Sequence, residues 1–201
     1  MAGRPRNVEP DVALDAAMKA FWAHGYQATS MTELTEATGL HKASLYQTFG
    51  DKHALFVAAL DSYCQSTVQA LKACRQANPN PVAALIASTE AVISKCSEGK
   101  GCLAVNSLVE MAQADPDVEK LLKQFRQRVE NFFAALIEQG KADKQIGKKV
   151  EAKPSARLLT VFLFGITTNM AAGMSASKAR KLMHEQLRLT LQLTRKQLDR
   201  P

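Results

Sequence analysis

The chain has 201 residues, with 46% hydrophobic and 22% charged side chains, which is enough for one or two compact domains with a hydrophobic core. This balance is ordinary for a globular protein and excludes a chain that is disordered throughout. The formal net charge of +7 is unevenly placed, since residues 1–52 carry −1 and residues 141–201 carry +9. Such charge runs usually form a solvated helix surface, so the basic excess alone does not indicate nucleic-acid binding.

Two features bear on the compartment of the protein. The first six residues, MAGRPR, have no apolar core, so we expect no signal peptide. The most apolar segment, 158–172, is interrupted by polar residues and glycine and is too short for a membrane span, which favours a buried helix. We therefore expect a cytoplasmic protein with no membrane partner, whose four cysteines are reduced thiols.

The N-terminal part predicts a helix with one apolar stripe. Pro10 suits the first turn of this helix and Gly25 its C-terminal end. Between them, apolar side chains recur at helical spacing at Leu14, Ala17, Met18, Phe21 and Trp22.

Two short helices and a long one follow. Ser30 and Glu33 form a capping box that opens a helix ending at Gly39. A third helix is expected from about residue 41 to residue 49. Asp51 then caps a fourth helix, which extends to about residue 77.

The rest of the chain also has helical patterns, without a strand pattern or an internal repeat. We expect five further helices, at about residues 81–97, 102–114, 116–140, 154–173 and 176–199. The expected fold is therefore all-α with about nine helices. We divide it into an N-terminal three-helix domain at 1–52, a connecting helix at 53–77 and a C-terminal helical domain at 78–201.

The last helix carries two apolar stripes, although a helix packed only inside its own domain needs one. The helix before it is apolar on nearly all sides. We therefore expect a homodimer in which the last two helices of each chain form a four-helix contact. A larger core within a single chain is the alternative. The expected interface residues are Leu158, Phe162, Ile166, Leu187, Leu191 and Leu198.

Residues 30–49 have the arrangement of a helix-turn-helix motif, with the turn at Gly39. In this motif the second helix enters the major groove of DNA, and its N-terminal residues meet base edges. The side of that helix facing the protein is apolar, with Leu40, Leu45 and Phe49. The candidate DNA contacts on the helix are Lys42, Ala43, Ser44, Tyr46 and Gln47.

The candidate contacts match chemical groups of DNA. Lys42 can donate to guanine or to phosphate, and Gln47 can make a bidentate contact to adenine. Tyr46 and Lys52 suit phosphate. The start of the preceding helix also offers hydroxyls and backbone amides to a phosphate, at Ser30 and Thr32. A polar face that is merely solvated is the alternative.

A specific combination of short segments runs through this region: GY at 25–26, TS at 29–30, ATGL at 37–40, SLY at 44–46, FGDK at 49–52 and LF at 55–56. Together they resemble the DNA-binding domain of the TetR/AcrR family of bacterial transcriptional regulators, over about the first 60 residues. The resemblance implies an all-helical homodimer with an N-terminal DNA reader and a divergent C-terminal ligand-binding and dimerisation domain. It also implies a repressor that releases double-stranded operator DNA when a small-molecule inducer binds.

Matched position by position, the resemblance implies DNA-backbone contacts for Thr29, Lys42, Tyr46 and Lys52. It places Ala43 and Gln47 near bases.

One position departs from the family pattern. The family commonly has serine where this chain has His41, at the start of the second helix of the motif. Losing a hydroxyl cap costs about 0.5–2 kcal/mol, so His41 either offsets this by contacting DNA or is simply tolerated. Ahead of the motif, Arg4 and Arg6 form a basic arm that either enters a minor groove or is a solvated tail.

Helical bundles bind ligands between their helices, so residues 82–201 are expected to hold a pocket. The candidate lining residues are Cys102, Asn106, Glu110, Phe125, Phe132, Phe162, Asn169 and Met170. For each aromatic residue, core packing is the alternative. Asn106 and Glu110 share a helix face and would need polar partners if that face is interior.

The segment GCLAVN at 101–106 resembles the sixth helix of a TetR/AcrR subgroup in which some members sense electrophiles through cysteine. A thiol at a helix N-terminus has a lowered pKa, which makes Cys102 a candidate reactive thiol. A small buried packing residue is the alternative. The histidines show no metal-ligand spacing with cysteine or carboxylate, so we expect no metal and no cofactor.

The favoured function is a ligand-responsive DNA-binding regulator, most simply a repressor. An electrophile- or redox-sensing repressor acting through Cys102 is one alternative. A helical small-molecule-binding protein without DNA readout is another. No nucleophile with its base, no Gly-rich phosphate loop and no metal cluster is visible, so we expect no enzyme.

Overall fold

The computed structural model describes residues 8–96, 99–194 and 197–198. Within these residues the chain forms nine α-helices and no strand, which confirms the all-α expectation. The helices are α1 (Pro10–His24), α2 (Met31–Thr38), α3 (Lys42–Phe49), α4 (Lys52–Ala77), α5 (Pro81–Lys95), α6 (Leu103–Met111), α7 (Pro116–Ala142), α8 (Ala152–Ala171) and α9 (Ala176–Leu191).

Helices α1, α2 and α3 form an N-terminal unit, here called the head. The expected capping box opens α2: Ser30 Oγ accepts from the Glu33 N–H at 3.1 Å, and the Ser30 N–H donates to the Glu33 carboxylate at 2.6 Å. The helix ends at Gly39, whose φ of 70° is one that glycine adopts without strain. Leu34 of α2 and Leu45 of α3 are buried in the core shared with α1.

Helix α4 has 26 residues and connects the head to the C-terminal helices. Asp51 caps it as expected, because its Oδ1 accepts from the Ala54 N–H at 2.8 Å. The start of α4 packs on α1, where the Phe21 and Phe56 ring centroids lie 5.0 Å apart edge to face. Farther along, α4 packs on α5, α6 and α7, so one continuous core joins the head to the bundle.

Two helices are shorter than the sequence pattern predicts. Helix α6 ends at Met111 rather than near residue 114, and a turn leads from it to Asp115. Pro116 keeps Asp115 out of the helical region, with φ and ψ of −134° and 104°. The intervening amides of Ala114 and Asp115 turn back onto the Met111 carbonyl. Helix α9 ends at Leu191 because the next residue, Gln192, adopts a left-handed conformation. The sequence did not predict this end, since no glycine stands at that position.

No helix in the described part of the chain is both long and apolar enough to cross a membrane. Helix α8, which contains the most apolar segment, packs against α7 and α9 instead. One side of α8 is therefore buried as predicted, whereas its other side is exposed.

The side chains expected at a dimer contact divide between core and surface. Ile166, Leu187 and Leu191 are buried inside the single chain, so the prediction that they contact a partner is wrong. They lie on the inward stripes of α8 and α9, which the sequence did not distinguish from the outward ones. Phe162 and Leu198 are half-buried. The exposed large apolar side chains of these two helices are Leu158, Val161, Leu182 and Leu189.

Replacing Gly101 by alanine is expected to destabilise the fold more than replacing Gly99. Both glycines have positive φ, so each alanine carries about 1–2 kcal/mol of left-handed strain. Only at Gly101 does the added Cβ meet other atoms, at 2.9 Å from the Ala171 Cβ and 3.0 Å from the Thr167 carbonyl oxygen. This overpacking adds about 1–3 kcal/mol to the loss.

Chemical denaturation of Gly99→Ala and Gly101→Ala measures the two losses side by side. Equal losses would contradict the close approach of the α5–α6 loop to α8.

Candidate DNA interface and ligand cavity

The outer side of α3 is polar and exposed. Leu45 is 1% exposed and fixes the rotation of the helix, and Leu40 and Phe49 are half-buried beside it. Ser44 is half-buried as well. The exposed residues are His41, Lys42, Ala43, Tyr46, Gln47 and Thr48. This one-sided arrangement is the one that a groove-binding helix needs.

Two lysine side chains, one on α3 and one at the start of α4, lie against aromatic rings. Lys42 Nζ is 5.8 Å from the centroid of the Tyr46 ring, and Lys52 Nζ is 4.5 Å from the centroid of the Tyr26 ring. Cation–π contacts of this kind restrict long side chains without neutralising their charge. The predicted phosphate-binding groups are therefore partly ordered on the head.

At the start of α2, two of the three predicted DNA contacts are exposed and one is buried. Ser30 and Thr32 are exposed, although the Ser30 hydroxyl is engaged in the capping box. Thr29 is 0% exposed, and its Oγ1 donates to the Gly25 carbonyl at 2.6 Å. The predicted phosphate contact of the Thr29 side chain is therefore wrong, because this hydroxyl closes the turn between α1 and α2.

His41 and the basic arm are the remaining predicted DNA contacts of the N-terminal part. His41 occupies the N-cap of α3 and makes no side-chain capping hydrogen bond, so α3 lacks the cap that serine would supply. Arg4 and Arg6 lie outside the described residues.

Glu110 and Asn106 have protein partners. Both Glu110 carboxylate oxygens accept hydrogen bonds from the turn after α1: Oε2 from the Tyr26 N–H at 3.0 Å and Oε1 from the Gln27 N–H at 2.8 Å. The Asn106 amide donates to the Lys100 carbonyl at 2.9 Å. Glu110 therefore links α6 to the head, a role that its sequence spacing did not indicate.

Two further contacts join the head and the start of α4 to the C-terminal helices. Trp22 Nε1 donates to the Gly101 carbonyl at 3.1 Å, just before α6. His53 Nε2 lies 2.6 Å from Asp115 Oδ2, at the start of α7. His53, Asp115 and Asp117 place possible metal-ligand atoms within 4.8 Å of one another, but Asp115 already caps α7, whose positive end disfavours a cation.

A cavity of about 590 Å³ lies between α6, α7 and α8. Phe125 and Phe164 line it, with nearly parallel rings and centroids 6.3 Å apart. Its other apolar walls are Ala104, Leu108, Ala112 and Leu122. The polar residues that line it are Gln113, Glu119, Lys123 and Arg126. The volume and mixed lining are typical of a small-molecule site.

Cys102 lies in a buried polar cluster at the N-cap of α6. The Cys96 thiol donates to Cys102, and this hydrogen bond is the main reason why the pKa of Cys102 is lowered, to about 6. The Tyr63 hydroxyl, 3.4 Å from Cys102 Sγ, and the N-terminal amides of α6 act in the same direction. The pKa of Cys96 is raised, since its thiol stays protonated as the donor.

Lys95 completes the cluster from α5. Its ammonium lies 4.0 Å from the centroid of the Tyr63 ring and donates to the hydroxyls of Ser66 and Thr67. Burial lowers the pKa of Lys95. A narrow, enclosed space is lined by this lysine together with Tyr63, Cys102 and Phe125.

The structure brings together only part of the predicted ligand set. Phe125 lines both the narrow space and the larger cavity, and Cys102 lines the narrow one. Phe132 lines a separate surface groove between α4 and α7. Asn169 is exposed and donates to the Gly165 carbonyl, and Met170 is 2% exposed in the core. Phe162 is half-buried on α8.

Sequence reasoning did not find Tyr63, Lys95 and Phe164. The first two directly adjoin cysteines in the sequence, but α4, α5 and α6 bring them together across long stretches of chain. No local spacing could show that these groups meet.

Two family models match the chain. The model described as bacterial regulatory proteins, tetR family, matches residues 13–59, which include the helix-turn-helix. The model described as tetracyclin repressor-like, C-terminal domain, matches residues 80–185, more than half of the chain.

Curated relatives and solved structures agree with this match. The chain is 30% identical over 197 residues to the HTH-type transcriptional repressor ComR of Escherichia coli (strain K12), covering 96% of this chain and 94% of ComR. It is 27% identical over 185 residues to the uncharacterized HTH-type transcriptional regulator YezE of Bacillus subtilis (strain 168), covering 84% of this chain and 92% of YezE.

A cysteine mutant of the TetR family transcriptional regulator CifR, complexed with 26bp double-strand operator DNA, aligns with a TM-score of 0.77 at 25% identity, covering 92% of this chain and 98% of that chain. A TetR transcriptional regulator from Chloroflexus aurantiacus shares the fold, with a TM-score of 0.80 at 20% identity, covering 91% of this chain and 94% of that chain. The head with its exposed α3, the matched models and the identity to ComR lead to one conclusion: the chain belongs to the TetR family of bacterial transcriptional regulators, with an N-terminal helix-turn-helix DNA-binding domain.

Proposed function

We propose that this protein is a repressor that binds a palindromic operator as a homodimer in the cytoplasm and leaves it when a small molecule binds. The observation that carries the proposal is the exposed face of α3, which presents Lys42, Tyr46 and Gln47 away from the buried Leu45. ComR is named a repressor, and CifR was solved on its operator, which supports the same role for this chain.

Within this proposal, α3 enters the major groove. Gln47 and Ala43 face base edges, Lys42 reaches guanine or phosphate, and Tyr46 with Lys52 holds the backbone. Phosphate contacts position the head, whereas base contacts specify the sequence. In a dimer, half-sites about 34–36 Å apart or more then give the operator its palindromic form.

The outward stripes of α8 and α9 are the proposed dimer surface. Leu158, Val161 and Gly165 are exposed at helical spacing on one side of α8, and Leu182 and Leu189 are exposed on α9. A Cβ added at Gly165 would meet nothing within 4 Å in its own chain, so this position lets a partner helix approach closely. This surface replaces the inward residues that the sequence pattern suggested.

The proposed inducer site is the cavity between α6, α7 and α8. Its parallel Phe125 and Phe164 rings suit a small molecule with a flat apolar part. Lys123 and Arg126 line the same cavity, so a polar or anionic substituent is compatible with the site.

A second mode of release is favoured by the cluster around Cys102. The Cys102 thiol has a lowered pKa and lies beside the Lys95 ammonium, but it is only 4% exposed, so an electrophile reaches it when the start of α6 opens. An adduct at the N-cap would then keep the start of α6 displaced. This chemistry would make the protein an electrophile-sensing repressor.

Alanine at both Lys42 and Tyr46 is expected to abolish specific binding while the protein stays dimeric. Each loss removes a contact worth about 1–3 kcal/mol, and Lys42→Ala alone reduces the slope of log K against log salt by about 1 if Lys42 binds phosphate. Gel shifts on the intergenic DNA beside the gene measure this. Lys72→Ala, which removes an exposed charge from α4, is the matched control. Unchanged affinity of the double variant would contradict the groove assignment.

Glutamate at both Val161 and Leu189 is expected to give a monomer. Two charges in an apolar contact cannot be desolvated without pairing, so association weakens by about 100-fold or more. Light scattering after size-exclusion chromatography gives the mass directly. Val12→Glu makes the same change at an exposed residue of α1 and should leave the dimer intact. A double variant that still has the mass of two chains would place the interface elsewhere.

N-ethylmaleimide is expected to release the operator from the wild type and from Cys74→Ser, but not from Cys102→Ser. Since the lowered pKa of Cys102 is about 6, its alkylation rate should be nearly constant above about pH 7 and fall below about pH 6. Mass spectrometry locates the adduct, and a gel shift follows release. Release from Cys102→Ser as well would exclude this thiol as the sensor.

A further inference from the structure

Helix α6 is attached to the head at both of its ends. Before its first turn, the Gly101 carbonyl accepts from Trp22 Nε1 at 3.1 Å. In its last turn, the Glu110 carboxylate accepts from the backbone amides of Tyr26 and Gln27 at 3.0 and 2.8 Å. A short helix held at two points by the same partner cannot shift without straining or breaking one of these contacts.

The turn between α1 and α2 is fitted to the Glu110 carboxylate. Gly25 has a φ of 81°, and a Cβ added there would lie 2.9 Å from Glu110 Oε2. Glycine therefore gives this turn its shape and also leaves room for the carboxylate. Four residues farther on, the Thr29 hydroxyl closes the same turn by donating to the Gly25 carbonyl at 2.6 Å.

The turn that Glu110 holds leads directly to the helix-turn-helix. Ser30, the cap of α2, follows Thr29, so the direction in which α2 leaves α1 depends on this turn. The Tyr26 ring in the turn also packs on Phe56 of α4, with centroids 4.9 Å apart. Loss of the Glu110 contact therefore alters the direction of α2 and, because Gly39 joins α2 to α3, the position of α3 as well.

The same helix forms a wall of the inducer cavity. Ala104, Leu108 and Ala112, at a spacing of four residues, line the cavity from α6 and the residue after it. A molecule that pushes on this wall displaces α6, and the Glu110 carboxylate moves with the helix.

We infer that Glu110 is a positioning residue that holds the head in its DNA-binding orientation through the Tyr26 and Gln27 amides, and that displacement of α6 releases the head there. Glu110 does not line the cavity. The expected effect on DNA binding rests on the proposed function, whereas the contact between α6 and the turn does not depend on it. The contact is open to solvent, so its rupture weakens DNA binding without unfolding the domain.

The decisive variants are Glu110→Ala, which removes both acceptors, and Glu110→Gln, which keeps only one oxygen acceptor. Glu138→Ala and Glu138→Gln are the matched controls, because Glu138 is an exposed acid of α7 that pairs within its own helix. Residue-resolved hydrogen exchange on the full-length protein is expected to show the Tyr26 and Gln27 amides exchanging about 10-fold faster in Glu110→Ala, with Glu110→Gln between it and wild type. Amides elsewhere in α1 and α4 should keep their rates.

The second readout is affinity for duplexes selected from a random pool with the wild-type protein. Glu110→Ala should bind them about 5- to 10-fold more weakly at unchanged dimer mass and melting temperature, and the Glu138 variants should bind like wild type. Unchanged exchange at Tyr26 and Gln27 would overturn the inference whether or not DNA is bound. Faster exchange with wild-type affinity would show that the contact is structural only and would overturn the coupling.

Failure of the proposed function has a different signature. In that case the wild type would select no duplex at all, and the exchange comparison would still decide whether Glu110 holds the turn.

Discussion

The position of α3 depends on the aromatic cluster beneath the head. An eight-residue helix is not stable alone, so α3 has a defined orientation only where tertiary packing provides it. Helix α3 packs on α2 and α4, and the aromatic cluster holds α4 against α1: the Phe21 ring meets Phe56 edge to face, while Tyr26 covers Phe56 from the turn. Because α4 continues into the bundle, the surface offered to DNA and the C-terminal domain share one rigid element.

Local chemistry explains why much of the head could be predicted from sequence. The Ser30–Glu33 capping box, the left-handed Gly39 and the Asp51 cap each involve residues within four positions of one another. Such signals can be recognised in the sequence, because no distant contact overrides them. The exposed face of α3 could be predicted as well, because one buried residue, Leu45, is enough to fix the rotation of so short a helix.

Features that depend on distant parts of the chain could not be read in this way. Two apolar stripes on α9 were visible, but only the packing shows that Leu187 faces inward and Leu189 outward. Glu110 was recognised as a polar group needing partners, and those partners proved to be amides of the head rather than a ligand. Thr29 resembles a DNA contact by position, yet its hydroxyl is used within its own turn. In each case the sequence indicated the chemistry and the fold decided the partner.

The glycine that ends α1 has a consequence for how the family varies. A side chain at position 25 and the Glu110 carboxylate compete for one volume, since a Cβ there would lie 2.9 Å from Oε2. In a homologue with a larger residue at position 25, the acid at position 110 has to turn away from the Tyr26 and Gln27 amides. The two positions should covary across evolution although they belong to separate domains, and the Gly–Glu pairing would mark those homologues that attach their sixth helix to the same turn.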